Sequence, residues 1–378
     1  MWGWDSFVRM GEEKAKTAEM GTLFPILGQG PVGIARLAAE GEKAGDGHLV
    51  EFRTMEPRSL LNRSESKRLQ WMAWTINPYR GCEFGCRYCY ARYTHEFIHP
   101  VEPGGGLERS DPMLFEREIY IKRHAAWLLR QELKQVRPDE MIALGTATDP
   151  YQPIERKEQV TRSLLEVFAE QQGLRLGIVT KSTLIERDID LLQQIARRNR
   201  LTLHLTITTP DAKLARILEP RAPRPDLRFR TVERLRTAGL RVGILCSPLM
   251  PGITDTPRAL EGMARRAKKA GASFFAAQPL FLKPCSKPVF MEFIREHFPE
   301  LEKAYATRYA ERAFVSKAYQ ERVSALVKAV VRKHGLNQRF EEYLEKRPAQ
   351  PATGMEGMPM WPVQAELWPG GEKQARTA

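Results

Sequence analysis

The 378-residue chain has 42% hydrophobic and 28% charged residues, a balance that excludes collagen-like, wholly disordered and small disulfide-stapled proteins. The sequence lacks a run of about 18 apolar residues, the length that predicts a membrane-spanning helix, and its first residues do not resemble a secretory signal. Five cysteines, three of them within eight residues, differ from a secreted disulfide framework. We therefore expect a cytoplasmic protein with no membrane partner.

The formal net charge is +13, and the excess belongs to the middle of the chain. Residues 71–350 carry 47 basic and 33 acidic side chains, whereas the two ends are nearly balanced. The densest basic run, residues 221–241, holds seven arginines and two acidic residues. A basic surface suits the phosphate backbone of nucleic acids, but solvated helix faces produce the same composition. The charge alone leaves both interpretations open.

Residues 1–70 are predicted to form a partly disordered N-terminal extension, because prolines interrupt only short apolar runs. Short apolar runs then alternate with helical patterns through about residue 290. Six of these runs predict buried parallel strands, at 73–77, 141–146, 175–180, 201–208, 241–247 and 273–278. Residues 291–350 predict a C-terminal helical region that packs over the last strand, and residues 351–378 predict a flexible tail.

The segments between the predicted strands repeat apolar residues at helical spacing. One predicted helix face, for example, is formed by Ile185, Ile189, Leu192 and Ala196. Parallel strands joined by helices imply right-handed crossovers and an α/β fold. A curled sheet would give a partial β/α barrel and a flat one a doubly wound sheet. The periodicity does not decide between them.

The most informative segment is NPYRGCEFGCRYCYARYTHEF, residues 77–97, in which Cys82, Cys86 and Cys89 form the pattern C-x3-C-x2-C. Thiolates this close in sequence reach one centre only from an irregular loop, for which the two glycines between them and before them provide the freedom. His95 could complete a Cys3His zinc site. Alternatively, the three thiolates hold a four-iron cluster, which leaves one iron open to another ligand.

This spacing, followed by a βα pattern, resembles the signature of the radical S-adenosylmethionine (SAM) enzymes. The resemblance implies a partial (β/α)6 TIM-like barrel and a [4Fe–4S] cluster held by Cys82, Cys86 and Cys89, with SAM bound at the open iron. It also implies a reducing partner such as flavodoxin or ferredoxin. In that family, reductive cleavage of SAM yields methionine and a 5′-deoxyadenosyl radical that abstracts hydrogen from the substrate. Tyr88 matches an aromatic residue that packs near the adenine.

Motifs at the strand ends are similar to those of the spore photoproduct lyase-like branch, over about residues 71–290. These motifs are GTATDPYQPIE (145–155), VTKS (179–182), LTITTPD (205–211), ILEPRAPRP (217–225) and SPLMPGITD (247–255). The resemblance implies SAM contacts from Thr148 and Asp149 at the amino group, Lys181 at the carboxylate, Thr206 and Thr208 at the ribose, and Pro251, Gly252 and Ile253 beside the adenine. Each of these residues also has an ordinary interpretation as a turn, strand or surface residue.

One position departs from the spore photoproduct lyases. They carry a cysteine that returns hydrogen to the repaired thymine radical, and alignment places Thr146 at that position. A threonine O–H bond is too strong to donate hydrogen readily to a carbon radical. Tyr90 matches a tyrosine that passes the radical onward, and Cys246 is either a substitute thiol or a small buried residue. We therefore expect a radical reaction other than spore photoproduct repair.

Three functions follow from these patterns. The leading hypothesis is a radical SAM enzyme, lyase-like or transferase-like, that acts on nucleic acid or a related substrate, because it combines the resemblance with the basic charge. A second hypothesis keeps the chemistry and takes a peptide or small metabolite as substrate. The third is a non-catalytic nucleic-acid-binding protein whose cysteines hold zinc or a structural cluster.

Overall fold

The computed structural model describes residues 33–39, 43–47, 50–64, 72–98 and 111–337. The strands in these ranges are β1 (Lys43–Gly47), β2 (Val50–Met55), β3 (Leu61–Arg63), β4 (Met72–Ile76), β5 (Tyr79–Arg80), β6 (Glu118–Lys122), β7 (Met141–Leu144), β8 (Arg175–Thr180), β9 (Arg200–Thr206), β10 (Val242–Leu249) and β11 (Phe274–Pro279). The six predicted strands are confirmed as β4 and β7 to β11. Their bounds lie within two residues of the prediction because buried parallel strands are continuous apolar runs.

The helices of the described ranges are α1 (Ile34–Ala39), α2 (Leu114–Arg117), α3 (Ala125–Glu132), α4 (Glu155–Glu158), α5 (Val160–Glu170), α6 (Ile189–Arg198), α7 (Ala212–Leu218), α8 (Pro225–Thr237), α9 (Pro257–Lys269), α10 (Lys287–His297), α11 (Glu302–Arg308) and α12 (Lys317–His334). None of them is both long and apolar enough to cross a membrane. The predicted face of α6 is wrong at Ala196, which is exposed, whereas Ile195 is buried. The reason is that residues 183–188 form a 3₁₀ helix, which has three residues per turn.

The main sheet has the strand order β11-β10-β9-β8-β7-β4-β3. All neighbours are parallel except β3, which runs antiparallel to β4. The six parallel strands follow chain order without a reversal. A doubly wound sheet reverses its order at a switch point, so the fold is the partial, open barrel. The carboxyl ends of its strands lie at one end, where ligands bind in such barrels.

A second sheet, of order β1-β2-β6-β5, lies within and beside the predicted N-terminal extension. Strand β2 pairs parallel with β6, and β6 pairs antiparallel with β5. Residues 43–47 and 50–55 of the predicted extension therefore form strands of this sheet, and residues 61–63 pair with β4 in the main sheet. Because β5 ends at Arg80, this small sheet fixes the point at which the cysteine segment begins. Residues 1–32, and the predicted tail at 351–378, lie outside the described residues.

The C-terminal region is helical through α12, as predicted. Helix α12 packs against α9 and β11, and the backbone N–H of Phe275 donates to the carbonyl of Leu336 at 3.1 Å. This contact covers the edge strand of the barrel, where unpaired backbone groups would otherwise face solvent. Helices α10 and α11 instead contribute Phe290 and Tyr305 to a separate hydrophobic cluster that contains Cys82 and Cys86. The C-terminal helices thus support the cysteine segment.

Close packing between β10 and β11 leads to a stability prediction. A Cβ atom on Gly243 would lie 2.1 Å from a ring carbon of Phe274, so alanine does not fit without displacing that ring. We expect Gly243→Ala to lower the free energy of unfolding by about 1–3 kcal/mol. A Cβ on Gly262, inside α9, meets no atom within 4 Å. Gly262→Ala should therefore raise the free energy of unfolding by about 1 kcal/mol. Urea denaturation of both variants measures these changes. If Gly243→Ala also stabilises the protein, the close packing of Gly243 against Phe274 is wrong.

Candidate active site

The three clustered cysteines lie in an irregular loop at the carboxyl end of the barrel. The loop leaves β5 at Gly81, whose φ of +79° and whose approach to the backbone leave no room for a side chain, since a Cβ would lie 2.6 Å from the carbonyl oxygen of Glu118. The backbone N–H of Cys82 then donates to the carbonyl of Phe115 at 3.0 Å. Further on, Arg92 is buried and donates to the carbonyl of Cys86 at 3.1 Å. The loop is held by its surroundings rather than by regular secondary structure.

The three thiols converge in an apolar environment. Cys82 and Cys86 are buried and Cys89 is half-buried. Burial raises the pKa of Cys82 well above its ordinary value, and negative charge on Asp149, Cys86 and Cys89 raises it further. Burial raises the pKa of Cys86 to about 12, with Lys181 acting against the shift. Thiolates in such a place require a bound cation to stabilise them.

The three thiols lie near one another, as an iron–sulfur cluster requires of its protein ligands. No group of three or more His, Cys, Asp or Glu side chains among the described residues is placed to hold one metal ion. In an iron–sulfur cluster each thiolate binds a different iron, so the sulfurs need not meet at one point. The alternative zinc ligand His95 is buried, with its Nε2 3.0 Å from the carbonyl oxygen of Glu118 and its ring edge-on to Phe115. His95 thus packs the loop against β6 and α2.

The loop after β7 clamps the cysteine loop. The hydroxyl of Thr148 donates to the carbonyl of Gly81 at 2.5 Å. The backbone N–H of Glu83 donates to Oε1 of Gln152 at 2.8 Å, and the carboxylate of Glu83 accepts from the N–H of Ile154 at 2.7 Å. All these groups are buried, so each unmade hydrogen bond would cost about 1–3 kcal/mol. Sequence reasoning noticed Thr148 but missed Glu83 and Gln152, although both lie in the segments that it singled out.

Asp149 links the ends of β7 and β8. Its carboxylate accepts hydrogen bonds from the Thr180 hydroxyl at 2.6 Å and from the backbone N–H of Lys181 at 2.7 Å. The ammonium of Lys181 lies 5.7 Å from the centre of the Tyr88 ring. Burial alone lowers the pKa of Lys181, but negative charge on Cys86, Glu219 and Asp149 outweighs it and raises the pKa. Lys181 therefore provides a positive charge beside the cysteine loop.

Glu219 and Arg228 form a buried ion pair next to Tyr88, which sequence reasoning missed. Glu219, in the segment 217–225, is 1% exposed and contacts the guanidinium of Arg228 at 2.5 Å. Its carboxylate also accepts hydrogen bonds from the hydroxyls of Tyr88 and, at 3.0 Å, Thr208. Burial raises the pKa of Glu219, but Arg228 and Lys181 lower it more, so the net pKa is below the ordinary value. The only sequence signal was that Glu219 falls within a motif already noted.

The remaining predicted SAM-contacting residues also lie at this end of the barrel. Arg228 donates to the backbone carbonyl of Thr206 at 3.0 Å. The carbonyl of Pro251 accepts from the Tyr305 hydroxyl at 2.8 Å, and the N–H of Gly252 donates to Asp255 at 2.7 Å. These contacts fix the backbone after β9 and β10, while Ile253 packs against the hydrophobic cluster that contains Cys82 and Cys86.

The two residues considered for hydrogen transfer occupy different places. The Tyr90 hydroxyl donates to the backbone carbonyl of Thr146, so the structure brings these two residues into contact. Cys246 is 1% exposed, and its thiol lies 3.5 Å from the carbonyl oxygen of Thr208. Burial and the nearby Glu219 raise the pKa of Cys246 to about 12. Cys246 is therefore a neutral thiol in the interior of the barrel, beneath the predicted SAM-contacting residues.

The arginines of residues 221–241 form one buried ion pair and several surface pairs. Arg228 is buried with Glu219, and Arg234 pairs with Glu186. Asp226 pairs with both Arg224 and Arg230. Arg228 therefore belongs to the barrel wall, whereas Arg224, Arg230 and Arg234 remain exposed in surface pairs.

Comparison with known proteins identifies the family. The family model described as "Radical SAM superfamily" matches residues 76–266, which include the three cysteines and the ends of β7 to β10. The chain belongs to the radical SAM superfamily. As a radical SAM protein it is an enzyme, and membership implies SAM and an iron–sulfur cluster as cofactors. The converging thiols of Cys82, Cys86 and Cys89, of which the first two are buried, fit such a cluster.

This radical SAM protein has uncharacterised relatives in distant organisms. It is 30% identical over 322 residues to a protein of Mycobacterium tuberculosis (strain ATCC 25618 / H37Rv), an alignment that covers 84% of this chain and 88% of the relative. It is 23% identical over 244 residues to a protein of Methanocaldococcus jannaschii, covering 65% of this chain and 83% of that protein. Both are described as uncharacterised proteins.

Its fold is similar to that of spore photoproduct lyase. A mutant of that enzyme with bound AdoMet and dinucleoside spore photoproduct superimposes with a TM-score of 0.55 at 14% identity, over 75% of this chain and 79% of the lyase. A second mutant gives a TM-score of 0.53 at 16% identity, with the same coverage. At this identity the similarity shows a shared fold for the radical SAM core.

Proposed function

We propose that this enzyme holds a [4Fe–4S] cluster through Cys82, Cys86 and Cys89 and uses it to cleave SAM reductively in order to modify a nucleic acid or a related substrate. The observation that carries the proposal is the convergence of three thiols, two buried and one half-buried, next to the positive charge of Lys181, at the carboxyl end of an open parallel barrel. The cluster, when bound and reduced, supplies the electron that splits SAM into methionine and a 5′-deoxyadenosyl radical.

The residues of the chain have distinct tasks in this proposal. Lys181 binds the SAM carboxylate as a point charge, and Asp149 holds the backbone N–H of Lys181 in place. Tyr88, fixed through its hydroxyl by Glu219, packs beside the adenine. The ends of β9 and β10 supply Thr206, Thr208 and residues 251–253 to the ribose and the base. The hydrophobic cluster around the cysteines keeps solvent away from the site and so limits side reactions there.

Two observations support a nucleic-acid substrate. The middle of the chain carries the basic excess that phosphate backbones attract. The fold is that of an enzyme seen with a dinucleoside spore photoproduct. The sequence resemblance aligns Thr146 with the hydrogen-donating cysteine of the lyases, so we propose a reaction other than spore photoproduct repair. Tyr90, in contact with Thr146, and the neutral thiol of Cys246 are the candidates for passing hydrogen or a radical.

The test is anaerobic incubation of the reconstituted enzyme with SAM, dithionite and DNA, RNA or neither, followed by measurement of 5′-deoxyadenosine. We expect a nucleic acid to stimulate the release of 5′-deoxyadenosine. We also expect that a flavodoxin or ferredoxin can replace dithionite as the reductant. If only a peptide stimulates 5′-deoxyadenosine release, the proposed substrate class is wrong, whereas the proposed cleavage of SAM still holds. One tightly bound zinc without iron would overturn both.

Lys181 provides a test of the SAM site. Lys181→Ala removes the charge proposed to meet the SAM carboxylate, and a hydrogen bond to a charged group contributes about 1.5–3 kcal/mol. We therefore expect SAM affinity, measured by equilibrium dialysis of the reconstituted enzyme, to fall by roughly tenfold to a hundredfold. Iron content should not change. Lys213→Ala, which removes an exposed lysine of α7, is the matched control and should bind SAM normally. Loss of iron in Lys181→Ala would indicate a structural role instead.

A further inference from the structure

A group of half-buried aromatic rings adjoins the cysteine loop. Phe281 and Phe314 are stacked, with ring centres 4.4 Å apart and planes inclined by 22°. The ammonium of Lys283 lies 3.7 Å from the centre of the Tyr93 ring and 6.0 Å from that of Phe281. We call Tyr93, Phe281, Lys283 and Phe314 the aromatic shelf.

The shelf is tied to the cysteine loop. Two loops carry Phe281 and Phe314, and the backbone N–H of Leu282 joins them by donating to the carbonyl of Ala313 at 2.9 Å. The hydroxyl of Ser286 donates to the backbone carbonyl of Cys89 at 2.6 Å. The Tyr90 ring, directly after the third cysteine, lies 6.4 Å from that of Phe281. A ligand on the shelf would therefore lie beside the proposed cluster.

The shelf is not part of the hydrophobic interior. Tyr93, Phe281 and Phe314 are half-buried, and none of them belongs to a hydrophobic cluster of the described residues. Other aromatic residues of the same C-terminal region, Phe290 and Tyr305, are fully buried. Rings that only pack a core have no reason to remain at the surface as a stacked pair.

The charges around the shelf favour a phosphate-bearing ligand. Lys283 lies between two rings, and Arg80 lies next to Tyr93, with its guanidinium donating to the carbonyl of Thr94 at 3.4 Å. One exposed carboxylate, Glu96, is near Lys283. Half-exposed aromatic faces with interleaved cations are how proteins bind single-stranded nucleic acids, because every base has a face that stacks.

We propose that the aromatic shelf is a base-stacking site, on which an unpaired nucleobase of the substrate lies against Phe281 and Phe314 while Lys283 contacts an adjoining phosphate. This inference rests on the proposed function and extends it, because it assigns substrate recognition to the C-terminal region. It requires the target nucleotide, or its neighbour, to be single-stranded or turned out of a duplex.

The test compares two probes of equal length and charge, a single-stranded oligodeoxythymidylate and an abasic oligomer, by fluorescence anisotropy with the reconstituted full-length enzyme. The wild type should bind the oligodeoxythymidylate more tightly. Phe281→Leu and Phe314→Leu should each weaken that binding by roughly tenfold and remove the difference between the probes, since a stacked base contributes about 1–3 kcal/mol. Phe314→Trp, which keeps an aromatic ring, should retain both the tight binding and the difference between the probes. Lys283→Ala should instead weaken the binding of both probes equally. It should also reduce the salt dependence of the affinity by about one phosphate contact.

The matched control is Trp127→Leu, which removes an aromatic side chain that is 60% exposed on α3, a helix packed against α5. It should bind both probes as the wild type does. Iron content and the thermal midpoint show whether each variant is folded. Equal affinity of the wild type for the two probes, or unchanged binding in Phe281→Leu and Phe314→Leu, would overturn the shelf alone. Absence of binding to both probes would overturn the nucleic-acid substrate as well.

Discussion

Replacing Cys82, Cys86 or Cys89 by alanine should each reduce 5′-deoxyadenosine formation to the level seen without enzyme. Three thiolates are the smallest set of protein ligands that holds a four-iron cluster and leaves one iron open. The loss of any one therefore removes a protein ligand that the cluster would need. The measurement is chromatography of the anaerobic reaction, together with iron, sulfide and the visible absorption of the reconstituted protein.

The control for these variants is a different buried cysteine. Cys285 lies near the same loop, with its thiol 3.9 Å from the carbonyl oxygen of Tyr90, but it is not one of the converging three. Cys285→Ala should keep its iron, its sulfide and its SAM cleavage. Full iron content and cleavage in any one of the three alanine variants would show that the cysteine replaced is not a ligand.

Glu219→Gln should lower the free energy of unfolding by about 3–5 kcal/mol. The substitution keeps the size of the side chain and leaves the guanidinium of Arg228 buried without its counter-ion. Urea denaturation of the full chain under reducing conditions gives the difference. The matched control is Glu170→Gln, whose partner Arg130 is about half exposed. A surface ion pair contributes about 0–1 kcal/mol, so Glu170→Gln should change the free energy of unfolding little.

The same variant has a distinct pH dependence. The folded-state pKa of Glu219 is lowered, so its contribution to stability is present at neutral pH and is lost as the carboxylate becomes protonated on acidification. Below the ordinary glutamate pKa, about 4.3, the wild type should lose stability more steeply than Glu219→Gln, which cannot titrate there.

A double variant separates the ion pair from its surroundings. Arg228→Met in the Glu219→Gln background removes the uncompensated charge and should recover part of the lost stability, because apolar replacements of buried pairs are tolerated. If Glu219→Gln costs no more than Glu170→Gln, the pair is not buried in solution as described here.

The chain's local pattern was sufficient for most of the architecture. The six parallel strands and the helical C-terminal region could be predicted because a buried strand and an amphipathic helix each leave a pattern in neighbouring residues. The cysteine site could be predicted for the same reason, since Cys82, Cys86 and Cys89 lie within eight residues and their spacing carries the chemistry. These features depend on short stretches of sequence.

Other features depend on residues far apart in the chain, and only the tertiary structure decided them. The unreversed strand order is a property of how six segments assemble, so periodicity left the choice between barrel and flat sheet open, and only the family resemblance predicted the barrel that the structure confirms. Glu219 meets Tyr88 across 131 positions, and Leu282 meets Ala313 across two loops. The periodicity of a segment records whether a side chain is buried, but not which partner it finds there. Composition likewise left the role of the arginines of residues 221–241 open, whereas the structure buries Arg228 with Glu219 and leaves Arg224 and Arg234 exposed in surface pairs.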